Sequence, residues 1–328
     1  MPGPTRRAFL AVAAATPAAG RSPAIVGSNA PPNTPWERQW QRFAENADKA
    51  GVPVEMMTGG ELGSDEGIIA ALRRNRVQIG GFTLAAMANV VPEFALLTIP
   101  YFFASAEEAA YVQDTTALTV FEPLLREKGL AFLQWTNSGW AGLFSMTPVR
   151  TPGQIKGRKY RAAPAIAHRV FLEAVGADVV PLGLADLIPS LQTGMVEGGV
   201  ITLSYYGPTF SETARSFTNT LHYPEGGVIA ANATWFADLT SAEQTAMRAA
   251  FGDIAVLRQE IADIEKSMTA SLRAKGVTVL DLTDTEHAQW AAATSGIADR
   301  LVADIGGRAP EVLAGLVAAR AAFRSRTQ

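Results

Sequence analysis

Cysteine is absent from the 328 residues. That excludes disulfides, thiolate metal sites, iron–sulfur clusters and a cysteine nucleophile. Histidine is scarce: His168, His222 and His287 lie far apart, with no HxxH or HExxH spacing, so a His-rich metal site is not expected. No long basic run occurs, and 28 Lys and Arg stand against 31 Asp and Glu. Binding to a phosphate backbone needs clustered cations, so a nucleic-acid partner is excluded. There is no GxSxG, no P-loop and no GxGxxG behind a strand. Charged residues are only 18% and hydrophobic residues 48%, which is globular composition and not that of a disordered chain. The length suits about two domains.

The N-terminus reads differently from the rest. Residues 5–20, TRRAFLAVAAATPAAG, set Arg6 and Arg7 before a short apolar run, with Pro17 among small residues after it. This is the order of an export signal, and Thr-Arg-Arg-Ala-Phe-Leu is similar to its twin-arginine variant. The apolar run is about a dozen residues, too short for a hydrocarbon core that needs about twenty. Residues 1–20 are therefore read as a signal, with the mature chain starting between Ala18 and Arg21 and working in the periplasm. The alternative is a disordered, tag-like start.

Strand and helix signals then alternate. Ala24–Gly27 suits a buried strand, and Trp36–Lys49 a helix whose Trp36, Trp40 and Phe43 share one face. Val52–Met57 is the next strand, Ser64 caps a helix rich in acid at its start, and Val77–Phe82 returns as a strand. Helices are expected over Ser105–Gln113 and Val120–Lys128, then strands over Leu130–Trp135 and Ala141–Met146 around the turn signal Asn137-Ser138-Gly139. The rhythm repeats: strand Lys159–Ala162, helix Ala165–Val175, strand Val179–Leu182, helix Ala185–Thr193, strand Gly198–Leu203. This is an α/β class with mostly parallel pairing, in two lobes. Ser241–Lys275 contains no proline and one glycine, and opens with Gln244 at the third position of a capping box. One helix of roughly 50 Å follows, able to brace both lobes; two helices broken near Gly252 are the alternative.

Side chains with evident chemistry are few. Asp65/Glu66 and Glu107/Glu108 are adjacent pairs in helix first turns, which cap helices and cannot face each other across a substrate. His222-Tyr223-Pro224-Glu225 could hold an acid/base pair, but no nucleophile accompanies it, and a cleft-lining loop is the better reading. The distinctive segment is Gly157-Arg158-Lys159-Tyr160-Arg161-Ala162-Ala163-Pro164, where alternation sends Lys159 and Arg161 to one face of a strand.

The chain resembles the solute receptors of TRAP transporters, the DctP type, from about residue 23 to 310. The resemblance is carried by Gly60-Glu61-Leu62-Gly63-Ser64-Asp65-Glu66, Val77-Gln78-Ile79-Gly80, Ile99-Pro100-Tyr101-Phe102-Phe103, and Thr151-Pro152 through Lys156-Gly157-Arg158-Lys159-Tyr160-Arg161. Leu191-Gln192-Thr193-Gly194-Met195-Val196-Glu197-Gly198 and Asn232–Trp235 complete it. It implies a periplasmic-binding-protein-like fold of two lobes around a cleft, a long helix spanning both, no catalysis and no cofactor. Lobe I would cover 21–137, completed by about 226–250; lobe II 138–225, completed by C-terminal helices over about 276–328; the bridging helix 241–275. The implied partners are a small organic acid and the TRAP membrane permease subunits.

In this resemblance Arg161 stands where the family keeps its carboxylate-binding arginine. A guanidinium pairs two parallel hydrogen bonds with a carboxylate, and in a closing cleft an unpaired one is costly. Two departures matter. Ala141 occupies the place of a frequent second arginine, and Gly199-Val200-Ile201-Thr202 replaces the polar Gln-Glu-Asn-Pro. The second carboxylate of a C4-dicarboxylate would thus have fewer cationic partners, and a monocarboxylate with an apolar or aromatic body is expected. Phe82, Trp135, Trp140, Tyr205 and Tyr206 are its candidate walls, and Glu61, Thr202 and His222 further ligand contacts. The competing expectations are an exported hydrolase using His222 or Glu225, and a receptor feeding a sensor or another transporter.

Overall fold

The computed structural model describes residues 22–184 and 186–327. The export signal, its cleavage zone and Ala185 at the start of one expected helix lie outside the described residues. Ten strands form one sheet: β1 (Ala24–Gly27), β2 (Val54–Met57), β3 (Ile79–Thr83), β4 (Leu130–Ser145), β5 (Lys159–Ala162), β6 (Asp178–Pro181), β7 (Gly198–Thr202), β8 (Ser216–Asn219), β9 (Pro224–Asn232) and β10 (Thr278–Asp281). The main order is β2-β1-β3-β9-β4-β7-β5-β6, with β8 and β10 attached beside β4. The outer pairs are parallel, as the strand–helix alternation requires. Pairing turns antiparallel at the centre, where β9 lies between β3 and β4, and β4 meets β7 and β8.

The two strands expected over Leu130–Trp135 and Ala141–Met146 are a single strand of 16 residues. Asn137-Ser138-Gly139 is not a turn but an irregularity within it: register shifts fall between Phe132 and Gln134 and between Asn137 and Gly139. The first part of β4 pairs with β9, the second with β7 and β8, so this strand is shared by two halves of the molecule. Its disturbed backbone is satisfied by side chains. Gln39, Trp36 and Ser204 donate to the carbonyls of Trp135, Asn137 and Ser138 at 3.2, 2.8 and 3.0 Å.

Each half has its own core. In the first, helix Pro35–Lys49 is capped by Thr34 and lays Trp40, Phe43 and Ala47 inward. Phe43 stacks on Phe251 with ring centroids 4.1 Å apart; burying such a ring contributes about 1.5–3 kcal/mol. In the second half, Phe171, Tyr160, Tyr223 and Trp290 form one cluster and Phe144, Tyr206 and Phe217 another.

The long helix expected over 241–275 is two helices, Ser241–Ala249 and Ile254–Ala274. Gly252 at φ +76° breaks the run, and Asp253 caps the second helix through Ala255 N–H. The capping box also sits one residue earlier than expected, with Thr240 as cap and Glu243 as its partner. Ile254–Ala274 alone spans both halves, touching helix Pro35–Lys49 on one side and helix Leu203–Thr209 and β10 on the other. The C-terminal chain does not complete lobe II throughout. β10 pairs with β8 there, but helix Ala309–Thr327 packs on helix Ala106–Thr116, and Leu301, Val312 and Leu316 join the first-half core. Their apolar faces are matched to that core, and sequence order does not reveal which core a terminal amphipathic helix meets.

Gly139 holds φ +95° in the shared strand, and a Cβ there would lie 2.0 Å from Glu265 Oε1. Gly139→Ala combines a strained backbone with that clash. Destabilisation by roughly 1–3 kcal/mol is expected in a chemical denaturation experiment. A midpoint equal to wild type would mean that the crossing strand yields without cost.

Candidate functional site

The register of the sheet converges on one crevice. Thr83 ends β3 opposite Gly227, and Gly227 lies opposite Thr136 of β4. Thr202 ends β7 opposite Ala141 of β4. The carboxyl ends of the first-half and second-half strands therefore meet over β4 residues 136–141. That is where open α/β sheets hold ligands, because loops and helix N-termini gather there.

Arg161 occupies the second-half side. It lies on β5, level with Gly199 of β7, and is only 3% exposed. Its Nε donates to the Leu182 carbonyl at 2.9 Å, and the two terminal nitrogens have no partner among the described residues. Burial pulls its pKa below the ordinary arginine value, while Glu225, then Tyr205 and Tyr223, oppose that pull electrostatically. A desolvated guanidinium with an open fork favours an anion in front of it. Helix caps are asymmetric in the same sense. In the first half, Thr34, Ser64 and Thr83 cap their helices with side-chain hydrogen bonds. In the second half, helices Ile166–Ala174 and Leu203–Thr209, which follow β5 and β7, have no side-chain cap. Their first-turn N–H groups add positive potential on the arginine's side.

The predicted residues divide. Tyr205 is half-buried and acts on Arg161. Thr202 is buried at the end of β7, with its hydroxyl 3.1 Å from Ser204 Oγ. Glu61 is exposed on the loop beyond β2, across the gap. Phe82 and Tyr206 belong to the cores: the Phe82 ring covers Gly80, and the Tyr206 hydroxyl donates to the Ala214 carbonyl. Trp135 is likewise core, its indole donating to the Gln113 carbonyl. As walls for a solute these three are corrected, because alternation along a strand does not tell a core-facing ring from a crevice-facing one. Trp140 lines a separate cavity of about 170 Å³ with Leu203, Leu221, Asn219, Glu265, Lys266 and Thr269.

His222 is fully buried, stacked on Phe171 at 3.8 Å and hydrogen-bonded through Nδ1 to Thr220. Burial pushes its pKa well below the ordinary value, so it is neutral, and its Nε2 has no partner among the described residues. It does not pair with Glu225. Glu225 instead lies 2.9 Å from Nε2 of His168. His168 and Tyr223 are the residues that the sequence reading missed as members of this cluster. Glu225 and Arg161 act electrostatically on Tyr223, whose hydroxyl is buried without a partner among the described residues. Adjacency to Pro224-Glu225 was the available signal for Tyr223; for His168, on a helix remote in sequence, there was none.

Residues 26–304 match the family model described as bacterial extracellular solute-binding protein, family 7. The chain belongs to this family. It is a solute-binding protein and not an enzyme, which removes the hydrolase alternative. The chain is 28% identical over 232 residues to a solute-binding protein of Chromohalobacter salexigens, covering 69% of this chain and 68% of that one. It is 25% identical over 297 residues to the C4-dicarboxylate-binding periplasmic protein DctP of Rhodobacter capsulatus, covering 88% of each. Among solved structures, a TRAP periplasmic solute-binding protein of Roseobacter denitrificans with bound β-D-glucuronate superposes with a TM-score of 0.81 at 22% identity, covering 90% of this chain and 99% of that one. The sugar acid binding protein of Advenella mimigardefordensis in complex with galactonate gives 0.79 at 24%, covering 91% and 98%. These likenesses show a shared fold, the two-lobe architecture of TRAP receptors. Among the described residues no helix is long and apolar enough to cross a membrane.

In this receptor the helix Ile254–Ala274 meets the crossing strand through Glu265. The Glu265 Oε1 is buried without a partner among the described residues, and burial pushes the carboxyl pKa up to about 7, partly offset by the Trp140 N–H. A raised carboxyl pKa means that the folded state holds a proton which the unfolded chain has released. Glu265 therefore lowers stability as pH rises from about 4.5 to about 7. Glu265→Gln should stabilise the receptor at pH 8 relative to wild type, by at most about 3 kcal/mol, and the difference should vanish near pH 4.5. Urea titrations at both pH values check this; a difference independent of pH would remove the buried charge as its cause.

Proposed function

We propose that this receptor is exported to the periplasm, captures a small organic acid by its carboxylate on Arg161 in the interlobe crevice, and delivers it to TRAP membrane permease subunits. The observation that carries the reading is the buried guanidinium with an open fork at the meeting of the strand ends. Relatives bear the same sense: the structures named above hold glucuronate and galactonate, both carboxylates. Residues 1–20 supply a twin-arginine-like route for export.

A monocarboxylate is favoured over a C4-dicarboxylate. Ala141, at the position where the resemblance puts a frequent second arginine, is a buried apolar residue. An apolar or aromatic body has less support, since Phe82, Trp135 and Tyr206 are committed to the cores and Trp140 to another cavity. Closure of the halves over the solute would bury the ion pair and create the surface that a permease recognises.

Titration calorimetry with a panel of mono- and dicarboxylates tests the site. Arg161→Ala is expected to weaken binding of any acid that the wild type takes by about a hundredfold or more, since a desolvated charged hydrogen bond is lost. The far-UV circular dichroism spectrum should be retained. Unchanged affinity would take Arg161 out of the site.

A further inference from the structure

Among the described residues, four that are not glycine hold positive φ. Asn33 and Asn75 tolerate it, because a short amide side chain bonds locally in that region. Tyr101 at φ +56° and Leu221 at φ +45° do not, and these two meet each other. Tyr101 is the third residue of the turn Ile99-Pro100-Tyr101-Phe102, closed by the Phe102 N–H on the Ile99 carbonyl at 3.2 Å. With proline second and φ positive at the third position, such a turn ordinarily takes glycine or asparagine there. A tyrosine kept against the backbone preference points to a task for its side chain.

That task lies across the molecule. Ile99, Phe102 and Phe103 on either side are buried in the first-half core, whereas Tyr101 packs on the second-half cluster of Phe171, Tyr223 and Trp290. Its N–H donates to the His222 carbonyl at 2.6 Å and its hydroxyl to the Thr220 carbonyl at 3.1 Å, the two carbonyls that flank Leu221. The Leu221 side chain is 44% exposed, so its own packing does not impose the strained backbone. The flanking residue does: His222 N–H reaches the Ala141 carbonyl at 3.3 Å, and the His222 ring stacks on Phe171. Thr220, Leu221 and His222 lie just ahead of β9, where β9 and β4 pass between the halves. Val170 also bridges the halves by packing its helix in the first-half core, but apolar packing has no preferred direction. Two hydrogen bonds from a strained turn to a strained loop do define an angle. We propose that Tyr101 is a clasp between the halves, a positioning residue that sets the angle at which the crevice stands open. A solute then meets one preformed arrangement and not many. The clasp requires only the two-lobe fold and holds whether or not Arg161 takes a carboxylate.

Pulsed dipolar electron spin resonance on the full chain reads this angle without a solute. The chain has no cysteine, so Glu66→Cys on helix Asp65–Arg73 and Gln192→Cys on helix Leu187–Gln192 carry one spin label on each half. One narrow distance band is expected for this labelled pair; a band already broad would overturn the clasp, since no angle would then be set. Adding Tyr101→Gly relaxes the turn and removes the ring and hydroxyl. It should make the band about twofold broader or move its maximum, with the far-UV circular dichroism retained. Tyr101→Phe keeps the ring and the N–H, so a smaller change is expected. A Tyr101→Gly band that overlays the reference, whether or not the urea midpoint falls, would leave Tyr101 a core-filling side chain and overturn the clasp. That result would leave the carboxylate site untouched, because no solute is present. Should Tyr101→Gly fail to fold, Tyr101→Phe decides: a broader or displaced band supports the clasp, and an overlay overturns it.

Discussion

A guanidinium taken out of water with no carboxylate against it is the constraint on which this architecture turns. Removing a cation from water costs several kcal/mol unless hydrogen bonds and a counter-charge offset it. Arg161 keeps one hydrogen bond, to the Leu182 carbonyl, and Glu225 eases its burial from a distance that forms no ion pair. The residue is thus held in place but left unsatisfied. A structural arginine in the same fold looks different: Arg258 clamps Asp114 with both terminal nitrogens at 2.7 and 2.9 Å. The contrast between a closed pair and an open fork makes Arg161 a candidate binding residue, where burial alone would not.

The crossing strand governs how that fork can be served. β4 carries pairing from one half into the other, with register shifts at Phe132/Gln134 and at Asn137/Gly139. Side chains support the shifted stretch: Trp36 and Gln39 from the first half, Ser204 from the second, Glu265 from the bracing helix. These contacts tie the crossing stretch to both halves and to the bracing helix at the level where Gly139 stands opposite Glu225.

How much of this was legible in the sequence follows from what each signal encodes. Helix caps and the alternation of strand and helix signals are local, so Ser64, the Lys159–Ala162 strand and the two-lobe α/β class were readable. Strand β9 was not read, because Pro224, Gly226 and Gly227 disguise it as a loop, although it occupies the middle of the sheet between β3 and β4. Asn137-Ser138-Gly139 has turn chemistry and forms a bulge, since the pairing of both flanks to β9 and β7 outweighs a local preference. Gly252 could be read either as a tolerated helix glycine or as a break, and its positive φ with the cap at Asp253 decides for the break. Arg161 was found through its matched string. His168 was invisible, for its meaning comes from a carboxylate 57 positions away.

The distribution of polar groups across the crevice adds a direction to the proposed capture. Cationic and donor character gathers on the second half, in Arg161 and the uncapped helices behind β5 and β7. The first half offers acceptors. Asn29, at the end of β1, turns its amide nitrogen to Asp65 at 2.9 Å, leaving its carbonyl oxygen buried and without a partner. The positive potential would therefore draw an anion to the second half first in the proposed capture.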